Sequence, residues 1–136
     1  MVKLNTIFMH DFFFPKLGKT FLRIYYSDII YAEAVKKYVR IVTTKKTYLV
    51  LSSMCLVEQT LPLSYFCRIH RSYIISLNHL TAFDNEVVYL GDNFFPIGKQ
   101  YRGILQQRVT ILSGDGKNDV EDHLSEVPII VRKISG

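Results

Sequence analysis

Arg68, His70, Arg71 and Ser72 stand almost side by side in the run YFCRIHRSYIISLNHL, from Tyr65 to Leu80. Apolar residues hold both flanks: Phe66, Cys67 and Ile69 on one side, Tyr73, Ile74, Ile75 and Leu77 on the other. Arginine brings five donors and no acceptor, and its charge is costly to bury without a partner. Two arginines around a histidine, set between apolar flanks, therefore read as a polar turn joining two strands and facing an anion or the edge of a base.

Other chemistries fit less well. Cys67 and His70 are the one nucleophile–base pair close in sequence, but strand residues three apart point to opposite faces and meet only across a bulge. Cys67 reads as an inert core thiol and His70 as a histidine that orients the turn. His10, His70, His79 and His123 lack zinc-ligand spacing. No glycine-rich phosphate loop is present, and Gly18 and Gly98 are isolated. Asp115, Asp119, Glu121 and Glu126 mimic a calcium loop, except that Lys117 takes a ligand position and Val120 the place of the turn glycine. No catalytic residue, metal or cofactor is expected.

The charge is unevenly placed. The net +5 of the 136 residues divides into +1 for residues 1–35, +6 for 36–110 and −2 for 111–136. A basic middle suits a polyanion partner, although a solvated basic surface accounts for charge alone equally well. The free basic and hydroxyl groups there are Lys36, Lys37, Arg40, Arg68, Arg71, Ser72, Lys99 and Arg102. Arginine can grip guanine with two hydrogen bonds, whereas Lys and Ser serve phosphates well. Gly98, ahead of a helix, offers free backbone N–H groups to a phosphate.

The elements that carry these groups are mostly strands. Nine Tyr and nine Phe, with abundant Ile and Val, favour pleated structure. Asp11–Phe14 and Phe21–Tyr25 flank a turn at Pro15–Lys19. Ile29–Ala34, Tyr38–Thr43 and Thr47–Leu51 follow, the middle one with strict alternation. Ser52 or Ser53 caps a short helix from Met54 to Leu61, with Leu56, Val57 and Leu61 inward and Pro62 ending it. Leu80–Asp84 and Glu86–Leu90 form a further hairpin, and Gly91–Asn93 turns the chain into Phe94–Pro96. Tyr101, Ile104, Leu105 and Val109 have the spacing of a last helix, weakened by Gly103. Residues 113–126 read as an acidic linker, and Val127–Ile134 as an edge strand or docking tail.

Length suits one domain with a real core. Cys55 and Cys67 form no CxxC pair and read as buried thiols in a reducing compartment. The N-terminus lacks signal-peptide features, and no stretch is long and apolar enough to span a membrane.

Four motifs in order closely resemble the LytTR DNA-binding domain of bacterial response regulators: Asp28–Ala34 (DIIYAEA), Tyr38–Ile41 (YVRI), Phe66–Ile75 (FCRIHRSYII) and Pro96–Tyr101 (PIGKQY). The resemblance covers about residues 11–110. It implies a mainly β fold, an elongated arrangement of antiparallel sheets with one or two short helices, over residues 1–112. It also implies sequence-specific binding of double-stranded DNA by loops entering successive major grooves, in transcriptional regulation. Carried over residue by residue, Lys36, Lys37, Tyr38, Arg71 and Lys99 fall where family members contact bases. Arg40, Arg68, Ser72 and Arg102 fall where they contact phosphates. Lys99 replaces a usual Arg, Gly98 a frequent Ser, and Lys36-Lys37 a usual Gly-Asn, departures that bear on base preference at those points and not on affinity for DNA.

The resemblance further implies a bacterial cytoplasm, repeated half-sites with a homodimer on DNA, and a receiver domain or sensor kinase as partner. The alternative is a protein-interaction module of the same fold without specific DNA binding. Single-strand binding through Tyr38 and Tyr101 is a third reading.

Overall fold

Side-chain alternation sets the central sheet. A computed structural model describes residues 11–114. Ile29–Val35 (β5), Tyr38–Thr43 (β6), Thr47–Leu51 (β7), Phe66–His70 (β8) and Tyr73–Ser76 (β9) form one antiparallel sheet in the order β7-β6-β5-β9-β8. In β6, Val39, Ile41 and Thr43 are buried while Tyr38, Arg40 and Val42 face the other way. In β9, Ile74 and Ile75 are both buried because both faces are covered there.

The first face packs on the helix Met54–Thr60 (α1) and the N-terminal ribbon, around Ile41, Val57, Phe66 and Ile74. Ser53 caps α1 by accepting from the N–H of Leu56 at 3.1 Å. Met54, Val57 and Leu61 point inward. Leu56 and Cys55, expected inside, are instead exposed. A helix this short buries one stripe, and the i, i+3, i+7 set of Met54, Val57 and Leu61 fills it.

The second face is covered by Ala82–Phe83 (β10), Val87–Leu90 (β11) and Asn93–Pro96 (β12), a three-stranded antiparallel sheet, together with Ile104–Arg108 (α2). Ile69, Ile75, Val88 and Leu105 are almost wholly excluded from water. Each such aliphatic side chain contributes roughly 1.5–3 kcal/mol of burial. The expected last helix is broken in two: a 3-10 turn at Lys99–Tyr101, then α2. Gly103, at φ +83°, separates them, a left-handed conformation that interrupts helical hydrogen bonding.

The N-terminal ribbon is also more divided than expected. Phe12–Phe13 (β1) pairs with Ile24–Tyr25 (β4), and Lys16–Leu17 (β2) with Thr20–Phe21 (β3), the turn using Gly18 at φ +67°. The mainly β, antiparallel expectation with two short helices holds. No helix among the described residues is long and apolar enough to cross a membrane. His10, His123, the calcium-like segment and Val127–Ile134 lie outside the described residues.

Candidate nucleic-acid interface

Connectivity brings three of the sequence-chosen segments to one end of the central sheet. Strand β5 runs antiparallel to β9 and hence parallel to β8. The β5–β6 turn at Lys36-Lys37 and the β8–β9 turn at Arg71-Ser72 therefore open at the same end. Ala34 N–H donates to the Ser72 carbonyl at 3.0 Å, tying the two turns together. The third segment joins through Gly98, whose N–H donates to the Ile69 carbonyl at 2.8 Å. His70, Arg71, Gly98, Lys99, Gln100 and Tyr101 consequently line one cleft of about 200 Å³.

The β8–β9 turn is held from inside. A register shift between Arg68 and His70 marks a bulge at Ile69, and the freed Ile69 carbonyl is the one that Gly98 reaches. His70 Nδ1 accepts from the Ser72 N–H at 3.0 Å, so the ring carries its proton on Nε2. His70 thus orients the turn. The bulge does not bring Cys67 to His70 as a reactive pair. Cys67 is 1% exposed, its thiol lies 3.7 Å from the Arg68 carbonyl, and burial pushes its pKa up against the lowering effect of Arg108. A buried thiol with a raised pKa is a poor nucleophile.

Arg68 points to the first face, because the pleat sends Cys67 and Ile69 to the second. Its Nε donates to the His70 carbonyl (3.2 Å), one terminal nitrogen to the Arg71 carbonyl (2.8 Å) and the other to Glu58 Oε1 (2.8 Å). The side chain is only 16% exposed. Its guanidinium, expected on a phosphate, is engaged within the chain along both edges.

Arg40 lies on the open part of the second face and is paired with Glu33, which raises its pKa through a hydrogen bond and then through charge. Its Nε is shielded from water and has no partner among the described residues. Lys36, Lys37, Tyr38, Arg71, Lys99 and Arg102 are exposed, and the five cationic members make no ion pair among the described residues. Ser72 is half-buried. Gly98 heads a 3-10 turn of three residues, and its own N–H is taken by the Ile69 carbonyl.

Lys36 adopts φ +58°, rare for a residue with a side chain. Lys45 and Lys46 sit at the opposite end of β6, where Lys45 pairs with Asp28 at 3.4 Å and Thr43 Oγ1 organises the turn. Tyr101 is half-buried against the second core, whereas Tyr38 is exposed.

Two residues with parts in this arrangement gave no sequence signal. Glu58 is ten residues from Arg68 on a separate element. Arg108 reaches from α2 to the carbonyls of Leu63 and Phe66 (2.7 Å to the latter), fastening α2 to the start of β8. Among the described residues no cluster of His, Cys, Asp or Glu could hold a metal ion.

A family model described as the LytTr DNA-binding domain matches residues 19–110. Among curated proteins, the chain is 32% identical over 76 residues to the sensory transduction protein LytT of Bacillus cereus, covering 56% of this chain and 30% of that protein. The protein of the same description from Bacillus anthracis is 32% identical over 73 residues, covering 54% and 29%. The chain thus spans about a third of the length of these relatives. Among solved structures, a LytTr DNA-binding domain of a response regulator from Bacillus cereus superposes with a TM-score of 0.62 at 20% identity, over 74% of this chain and 98% of that one. At that identity the likeness shows the fold.

Proposed function

The chain belongs to the LytTR DNA-binding domain family, and from that premise we propose that it binds double-stranded DNA at preferred sequences and regulates transcription. The observation that carries this reading is the convergence of Lys36-Lys37, Arg71 and Lys99 at one end of the central sheet, all exposed and without ion pairs among the described residues. Strand-borne turns of this kind can enter a major groove, where base edges differ for every pair. Arg71 is assigned to a guanine edge, with Lys36, Lys37, Tyr38 and Lys99 on neighbouring bases. Ser72 and Arg102 are assigned to phosphates. Arg40 is a weaker anchor, since Glu33 already neutralises it.

The segments 36–38, 71–72 and 98–102 belong to one body, so a single copy covers a short half-site. Two copies on repeated half-sites, with a receiver domain or a sensor kinase as partner, complete the proposed context. The bacterial cytoplasm is its proposed location.

Selection of bound fragments from a genomic duplex library at moderate salt tests the reading. Recovery of a recurrent motif, with log affinity falling linearly against log salt, is the expected result. Absence of any enriched site, with a retained fold, would instead favour a protein-interaction module.

A further inference from the structure

We propose that Glu58, a residue of α1 outside the reading edge, is a positioning residue that sets DNA selectivity by fixing Arg68 and, through it, the turn that presents Arg71. The inference rests on the reading of Arg71 as a base contact.

Arg68 is mostly withdrawn from water, and a withdrawn guanidinium needs its donors satisfied and its charge matched. Two of its hydrogen bonds go to neutral carbonyls, of His70 and Arg71. Among the described residues Glu58 is the carboxylate that supplies the counter-charge, at 2.8 Å. The guanidinium is planar and its donors have fixed directions. Gripping Glu58 with one edge and the turn carbonyls with the others therefore fixes the angle between α1 and the turn.

Helix α1 is a fixed post. Its Ser53 cap and the burial of Met54, Val57 and Leu61 set its rotation, and Glu58 follows Val57 on it. The Arg71 side chain is exposed and makes no ion pair among the described residues, so the direction in which it leaves the protein is set by the backbone that Arg68 holds. Reading a base edge with two parallel hydrogen bonds tolerates little angular error. A change at Glu58 should thus be felt as lost selectivity more than as lost charge attraction.

The opposite role is also testable. If Arg68 left Glu58 for a phosphate on binding, Glu58 would compete with DNA, and its neutralisation would strengthen binding to every duplex.

Glu58→Gln keeps the side-chain shape and removes the charge. The expected result is a loss of roughly three- to tenfold on the selected duplex, about the contribution of one partly screened charge-assisted hydrogen bond. Random duplex should change little, and the salt slope should stay the same. In a cycle with Arg68→Lys the two losses should fall short of additive, since both act through one contact. Equal strengthening on both duplexes with a steeper salt slope, or no change at all, would overturn the proposal.

A DNA-free measurement keeps the two readings apart. The Ser72 amide, bonded to His70 Nδ1, should exchange its hydrogen faster in Glu58→Gln while the amides of β6 do not. Unaltered Ser72 exchange refutes the positioning role whatever the DNA data show. Faster exchange in a protein that selects no motif retains the positioning of the turn and removes the base-contact reading of Arg71.

Discussion

The guanidinium of Arg68 donates to the main-chain carbonyl of Arg71 at 2.8 Å, so one of the two neighbouring arginines holds the other in place. Their side chains leave the strand in different environments. Arg68 is turned inward to α1, and Arg71 is exposed beside Lys99 at the mouth of a shared cleft.

Arg71→Ala and Arg68→Ala should consequently differ in kind. Arg71→Ala should weaken the selected duplex by about 1–3 kcal/mol, leave the fold intact and relax selectivity at one base pair. Arg68→Ala strands Glu58 and two carbonyls, and should lower folding stability by about 1–3 kcal/mol before any DNA is added. Parallel denaturant titrations and gel shifts decide this. Equal losses on specific and random DNA for Arg71→Ala would sink its role as a base reader.

Lys36 holds a left-handed backbone at φ +58° in the first turn. Glycine takes this conformation freely, so Lys36→Gly should raise stability by about 1 kcal/mol. If the lysine reaches DNA, the same change should weaken binding at low salt and reduce the salt slope by about one. Stability and affinity moving in opposite directions is the expected signature. A variant that gains stability and keeps its affinity would remove Lys36 from the interface.

The two cysteines should label very unequally. Cys55 is exposed on α1, whereas Cys67 is buried with its thiol pKa pushed up. At mildly alkaline pH an alkylating reagent should modify Cys55 rapidly and Cys67 only on unfolding, as intact-mass measurement would report. Rapid loss of both thiols in the folded protein would reopen a nucleophilic role for Cys67.

Along α1, neighbouring apolar residues should have unlike effects. Met54→Ala opens the first core and should cost about 2 kcal/mol or more. Leu56→Ala, at a position 54% exposed, should stay within about 0.5 kcal/mol. Thermal denaturation of the two variants separates them, and equal effects would mean that the helix is rotated from the face described.

Much was legible from local chemistry alone. Strict alternation located β6 to the residue, because a two-sided pleat leaves few other solutions, and the polar Thr44–Lys46 turn after it located β7. Ser53 and Pro62 bracketed α1 because capping and imino-acid geometry act within a few residues. Clustered arginines in a polar turn marked Arg71, since an exposed cation needs no distant partner to be recognised as one. Rotation of α1 was less legible: with Met54, Leu56, Val57 and Leu61 all apolar, only the packed partner selects the buried stripe.

The remainder belonged to tertiary structure. Which arginine holds and which is exposed depends on the pleat of β8 and on Glu58 arriving from another element, a pairing no local pattern encodes. The nearness of Lys36, Arg71 and Lys99 depends on strand order, because hydrogen bonds of β5 to β9 and of the Gly98 segment to β8 join residues far apart in the chain. Sequence by itself determined the β6–β7 hairpin, the family and the cations. Only the assembled sheet decided which of those cations are engaged inside it and which, among the described residues, stay exposed and unpaired at its end.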